Sequence, residues 1–129
     1  MKQELRINPT PSELEILQVL WSRGPSTVRE IHEVLSQEKE IGYTSALKLL
    51  QIMTTKGLVQ RSEDQRAHVY TAALPAEKTK QQFAADVLQR VFRGSTSQLM
   101  QHVLSGRRGS KKEIEEIRRM LYEYERKLP

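Results

Sequence analysis

Gly42-Tyr43-Thr44-Ser45-Ala46-Leu47-Lys48-Leu49-Leu50-Gln51-Ile52-Met53-Thr54-Thr55-Lys56-Gly57-Leu58 reads as one amphipathic helix with a stop signal at its end. At about 3.6 residues per turn, Thr44, Lys48, Gln51 and Thr55 fall into a polar stripe, and Ala46, Leu49, Leu50 and Met53 form the opposite, apolar face. The apolar face suits docking on a small core. The polar stripe carries a cation, an amide and hydroxyls but no carboxylate, which suits phosphate oxygens and base edges in a DNA major groove. Gly57 ends the helix, because glycine takes a left-handed cap without steric penalty.

Working outward, two shorter helices are predicted upstream. Thr10-Pro11-Ser12-Glu13 offers Thr10 as N-cap, Pro11 at the first helical position and Glu13 for a capping box. Leu14, Ile16, Leu17, Leu20 and Trp21 give that helix a broad apolar face, and Gly24-Pro25 closes it. Thr27-Val28-Arg29-Glu30 is a second capping box, with Val28, Ile31, Val34 and Leu35 facing inward. Downstream, Leu58–Arg61 and His68–Thr71 are β-prone runs around the polar turn Ser62-Glu63-Asp64-Gln65. Three helices followed by a hairpin define a winged helix-turn-helix over residues 1–74, mainly α with a small β-hairpin wing.

Leu74-Pro75 separates that module from a helical region over residues 75–129. Phe83, Val87 and Val91 make one apolar stripe, and Leu99 and Val103 lie on a short helix capped at Ser95. A third capping box at Ser110 launches a last helix whose Ile114, Ile117, Leu121, Tyr124 and Leu128 repeat at alternating three- and four-residue spacing. Such thin helices have no substantial core of their own, so a second copy of the chain is expected to cover them, giving a homodimer. The alternative is that the stripes fold back on their own winged helix.

The net charge of +5 is unevenly distributed. Residues 1–74 hold nine Lys/Arg and nine Asp/Glu, whereas residues 75–129 hold twelve and seven, so bulk charge does not single out the recognition helix. Cysteine is absent, which excludes disulfides, thiolate metal sites and a cysteine nucleophile. His32, His68 and His102 are scattered without ligand spacing, and no nucleophile–base or paired-carboxylate constellation occurs. The expectation is therefore no enzyme, no metal, no cofactor and no small-molecule substrate. With no signal-peptide pattern at Met1-Lys2-Gln3-Glu4 and no run long enough for a membrane span, a cytoplasmic protein is expected.

Several stretches, taken in order, resemble the penicillinase repressor family of BlaI/MecI/CopY type. They are Thr10-Pro11-Ser12-Glu13-Leu14-Glu15-Ile16-Leu17, Trp21, Val28-Arg29-Glu30-Ile31, Gly42-Tyr43-Thr44-Ser45, Met53-Thr54-Thr55-Lys56-Gly57-Leu58-Val59 and Val69-Tyr70. The likeness is close over the winged helix and extends to the tail in layout. It implies a homodimeric winged-helix transcriptional repressor, joined by its C-terminal helices and seated on a palindromic operator. By position, Thr44, Ser45 and Lys48 match the part of the family's third helix that enters the major groove. Two departures stand out. The copper-responsive branch ends in a cysteine cluster that this chain lacks, which argues against copper sensing. The β-lactam-responsive branch is released when a membrane sensor protease cuts an Asn-Phe bond; Gln101-His102 occupies the matching place here as a candidate cleavage position.

The candidate DNA-contacting set is thus Tyr43, Thr44, Ser45, Lys48, Gln51, Thr55 and Lys56 on the third helix, with Arg61, Arg66 and His68 on or near the wing. The rival from another class is a protein-docking winged helix with an oligomerising helical tail, favoured by the neutral charge balance of residues 1–74.

Overall fold

The computed structural model describes residues 9–63, 66–106 and 109–129. In chain order the elements are α1 (Pro11–Arg23), β1 (Ser26–Thr27), α2 (Val28–Leu35), α3 (Tyr43–Lys56), β2 (Val59–Ser62), β3 (Val69–Ala72), α4 (Ala76–Phe92), α5 (Thr96–Ser105) and α6 (Lys111–Arg126).

Local chemistry sets the first two helices. The Thr10 hydroxyl accepts from the Glu13 N–H at 3.2 Å, and the Glu13 carboxylate accepts from the Thr10 N–H at 2.9 Å. Thr27 and Glu30 repeat the arrangement on α2. Each reciprocal pair satisfies N–H groups that a helix start would leave open, an effect of about 1 kcal/mol per cap. At the far end of α3, Gly57 is left-handed (φ 83°, ψ 14°), and the Leu58 N–H reaches back to the Met53 carbonyl at 2.9 Å. No atom lies within 4 Å of where a Gly57 Cβ would stand, so backbone conformation rather than space demands the glycine.

The sheet is one strand larger than the hairpin expected from sequence. Its order is β1-β3-β2, all antiparallel, with Ser26 opposite Tyr70 and Arg61 opposite Tyr70 on the other side. The extra strand has a local cause. Thr27 must be extended to serve as N-cap (φ −83°, ψ 168°), and the preceding Ser26 is buried, its hydroxyl donating to the Gly24 carbonyl at 2.8 Å. Two extended residues at that point lie beside β3.

Ile16, Leu17, Leu20, Ile31, Leu50, Met53, Leu58, Val59 and Tyr70 form the centre of a single apolar cluster drawn from α1, α2, α3 and the sheet. Trp21 lines its edge, half-buried, with its indole N–H donating to the Leu74 carbonyl at 3.0 Å and the Lys80 ammonium 5.9 Å from its ring. Three helices on a small antiparallel sheet whose β2–β3 hairpin projects as a wing are a winged helix. The core face of α3 is Ala46, Leu50 and Met53, with Leu49 half-buried at its margin, as its periodicity predicts.

The chain divides into two compact units inside α4, between Ala85 and Asp86. The second unit contains the end of α4, then α5 and α6. Gly94 (φ 84°) turns the chain after α4, Ser95 caps α5 and Ser110 caps α6 through the Glu113 N–H at 3.1 Å. Leu128, the last member of the expected seam, lies beyond the helical residues of α6. None of the described residues from Asp86 onward is buried.

Candidate nucleic-acid interface

The outward face of α3 is built by the same periodicity that builds the core. Tyr43, Thr44, Ser45, Lys48, Gln51, Thr55 and Lys56 are all exposed, while the residues between them turn inward or stand at the margin, apart from Ile52. No carboxylate lies on the helix. Its first turn differs from the starts of α1, α2, α5 and α6, each of which has a side-chain cap. The N-cap of α3 is Gly42, with no side-chain cap hydrogen bond and no acidic residue in the first turn. The first N–H groups of α3 and the positive end of its dipole are therefore presented without an internal anion to satisfy them.

Behind that turn, His32 of α2 holds the approach to α3. Its Nε2 lies 2.7 Å from the Ile41 carbonyl, and because a carbonyl only accepts, Nε2 carries the proton and donates. The same nitrogen is 3.2 Å from the Ser36 hydroxyl, and the imidazole meets the Tyr43 ring edge-on at 5.9 Å. From sequence, His32 enters only as a poor metal ligand. Its use as a clip across the α2–α3 turn depends on a loop conformation that sequence does not state.

Two of the expected DNA-contacting cations are already engaged. The Lys56 ammonium sits 2.8 Å from Glu13 Oε1, the oxygen that also accepts from the Thr10 N–H. Glu13 is 2 % exposed, so the C-terminal end of α3 is fastened to the N-terminus of α1 by a buried carboxylate. Burial opposes ionisation of Glu13, but the Lys56 ammonium and the Thr10 hydrogen bonds outweigh it and hold the carboxyl below its usual range. The Thr55 hydroxyl is partly engaged as well, donating to the Gln51 carbonyl at 3.2 Å.

On the wing, Arg61 donates from Nη2 at 2.6 Å and from Nε at 3.2 Å to one oxygen of Glu63, Oε2. Glu63, and then the hydroxyl of its cross-strand neighbour Tyr70, raise the Arg61 pKa; Arg61 in turn lowers that of Glu63. Arg66 and His68 are exposed. Asp64 and Gln65 of the expected turn lie outside the described residues. Among the described residues, Lys48 makes no ion pair, and no group of three His, Cys, Asp or Glu side chains is placed to hold a metal.

The residues expected at a dimer contact lie on α4, α5 and α6. Phe83, Val87, Leu99 and Ile117 are half-buried, and Val91, Val103, Ile114, Leu121 and Tyr124 are exposed. Val103, Leu104, Ile114 and Ile117 line an open, largely apolar groove between α5 and α6. Gln101 and His102 are exposed on α5, with the His102 ring 5.5 Å from that of Phe92. Among the described residues no helix is long and apolar enough to cross a membrane.

Comparison with known proteins places this arrangement. The family model described as penicillinase repressor matches residues 9–123. The transcriptional regulator BlaI of Mycobacterium tuberculosis is 33% identical over 115 residues, covering 88% of this chain and 82% of that protein. The methicillin resistance regulatory protein MecI of Staphylococcus aureus is 21% identical over 110 residues, covering 85% and 89%. Among solved structures, a transcriptional regulator from Thermotoga maritima shares the fold with a TM-score of 0.50 at 19% identity, covering 90% of this chain and 73% of that one. The match runs through both the winged helix and most of the helical tail, and the chain belongs to the penicillinase repressor family.

Proposed function

We propose that this chain is a transcriptional repressor that binds a dyad-symmetric promoter operator as a homodimer and catalyses no reaction. The observation that carries the reading is the outward face of α3: hydroxyls, an amide and an unpaired ammonium, no carboxylate, and an uncapped first turn. Phosphate oxygens supply the anion that this turn lacks, and Thr44, Ser45, Lys48 and Gln51 meet base edges or backbone in the major groove. Arg61, Arg66 and His68 reach the phosphates flanking the groove. The names of the relatives, transcriptional regulator and methicillin resistance regulatory protein, support the same reading.

Residues 1–74 serve as the DNA-binding part and residues 75–129 as the dimerising part. Exposed apolar side chains on α4, α5 and α6 supply the material of a two-fold interface. Two copies of α3 then fall on successive major grooves, about 34 Å apart, which requires an inverted-repeat operator. Cleavage at Gln101-His102 by a membrane-bound peptidase is the proposed route of release. Both residues lie inside α5, so that cut requires local unwinding of the helix.

Footprinting on the DNA upstream of the protein's own gene, with a salt titration and a Lys48→Ala comparison, tests the reading. A dyad-symmetric footprint is expected, and Lys48→Ala should weaken it about tenfold while leaving the dimer intact. Diffuse, salt-insensitive binding that ignores Lys48 would favour the protein-docking alternative, whose support is the neutral charge balance of residues 1–74.

A further inference from the structure

Among the described residues up to Ala85, only two large apolar side chains are exposed, Tyr43 at 48% and Ile52 at 43%, and both belong to α3. Every other large apolar residue described in that unit is buried or half-buried. Tyr43 has a visible partner in the His32 ring. Ile52 is different. It stands in the middle of the outward face, one turn after Lys48 and one turn before Thr55 and Lys56, in a shallow depression lined by Lys48, Gln51, Thr55 and Lys56.

The chemistry of that depression is specific. Its lining residues are polar or cationic, without a carboxylate, and Ile52 is the one apolar residue among them. A β-branched side chain in a helix is held in one dominant χ1 rotamer, so its methyl groups are presented in a fixed place and lose little freedom on contact. The Lys56 ammonium is held 2.8 Å from Glu13 Oε1. In the major groove the only apolar group on any base edge is the C5-methyl of thymine. A rigid aliphatic tip ringed by phosphate- and base-directed polar groups is complementary to a methyl group flanked by hydrogen-bonding edges.

We infer that Ile52 is a specificity-determining residue that reads the C5-methyl group of one thymine in each operator half-site. This rests on the operator-binding reading above. Lys48 supplies attraction that any sequence can satisfy, whereas Ile52 supplies discrimination, since cytosine offers only a C5 hydrogen where thymine offers a methyl, and the purines present their N7 acceptor to the groove.

The test uses the full-length protein and an operator duplex obtained by selection from a random-sequence pool. Thymines are replaced by deoxyuridine, one position at a time and symmetrically in both half-sites, which removes the methyl and leaves the pairing unchanged. At one symmetric position the replacement is expected to weaken wild-type binding about fourfold per half-site, the effect of returning one methyl group to water. The Ile52→Ala protein, whose substitution is on the surface and whose fold is checked by thermal unfolding, is expected to bind both duplexes equally. A wild-type protein that distinguishes thymine from deoxyuridine nowhere, or an Ile52→Ala protein that keeps the distinction, would overturn the assignment while leaving operator binding intact. Failure of the selection to enrich any sequence would overturn operator binding and the assignment together.

Discussion

In the unit that ends at Ala85, Ile16, Leu17, Ile31, Leu50 and Met53 are fully withdrawn from solvent, whereas in the unit that begins at Asp86, Val91, Leu121 and Tyr124 remain 65%, 62% and 66% exposed. Both units are helical, and both have well-formed caps. What separates them is the number of elements that meet. Around Leu50, three helices and a sheet close on one point; α5 and α6 have only an open groove between them. A capped helix is a local achievement, while a core needs several faces at once, and burial of apolar area is what stabilises a domain against its chain entropy. The first unit is thus stable by its own contacts. The proposed dimer is what would bury the apolar side chains of the second.

The largest expected effects break this contrast directly. Leu121→Glu places two carboxylates in the proposed interface of one dimer, each uncompensated charge costing about 3–5 kcal/mol when buried. The variant should sediment as a monomer at concentrations where the wild type is a dimer, and the unfolding of the winged helix should be unchanged, since Leu121 belongs to the other unit. A variant that remains dimeric would move the interface away from the α6 seam. Leu50→Ala is the converse. Removing a fully buried side chain should cost about 3 kcal/mol of stability in the winged helix, read by urea unfolding, with no dependence on protein concentration. A concentration-dependent loss would mean that the first unit also relies on the partner.

The same contrast decides what the sequence discloses. The two threonine capping boxes and the glycine stop after α3 are legible because each involves residues within a few positions of one another. The polar stripe of α3 is legible because helical period alone sorts it from Ala46, Leu50 and Met53. β1 is not, since two extended residues carry no periodicity and become a strand only because β3 passes beside them. Nor is the tie between Lys56 and Glu13, which are 43 residues apart in the chain and meet only once α1 and α3 have packed. From sequence, Lys56 is simply another cation on the DNA-facing helix. The pairing of Arg61 with Glu63 is local in sequence, but it joins the end of β2 to the turn that follows, whose conformation strand periodicity does not state.

That tie yields the next expectation. Glu13→Gln keeps an acceptor for the Thr10 N–H but leaves Lys56 without its counter-charge. Lys56 is about one-third exposed and can turn to water, so the loss should be about 1.5 kcal/mol at neutral pH, the low end for a charge-assisted hydrogen bond. The sign with pH follows from the lowered pKa. The stabilisation is complete above the ordinary value of 4.5 and disappears as pH falls through the lower folded-state value, where the carboxylate is protonated. Thermal unfolding of wild type and variant should therefore differ at pH 7 and converge on acidification. A gap that persists at the acidic end would show that glutamine disturbs the α1 cap rather than the charge pair.

The smallest expected effect lies on the wing. Arg61 is held by Glu63 at 2.6 Å, at the surface, where such a pair adds little to stability. Its consequence is for binding, because a guanidinium committed to a carboxylate must release it before it can meet a phosphate. Glu63→Gln should leave the unfolding transition where it is and tighten binding to DNA of any sequence by a few-fold, roughly twofold to fourfold, with a slightly steeper salt dependence. Arg61 stays in register opposite Tyr70 on the β2–β3 ladder when Glu63 is changed. Equal tightening on operator and unrelated duplexes would assign Arg61 to phosphate contact. Tightening confined to the operator would instead make it a reader of bases, and no change at either would remove it from the DNA surface.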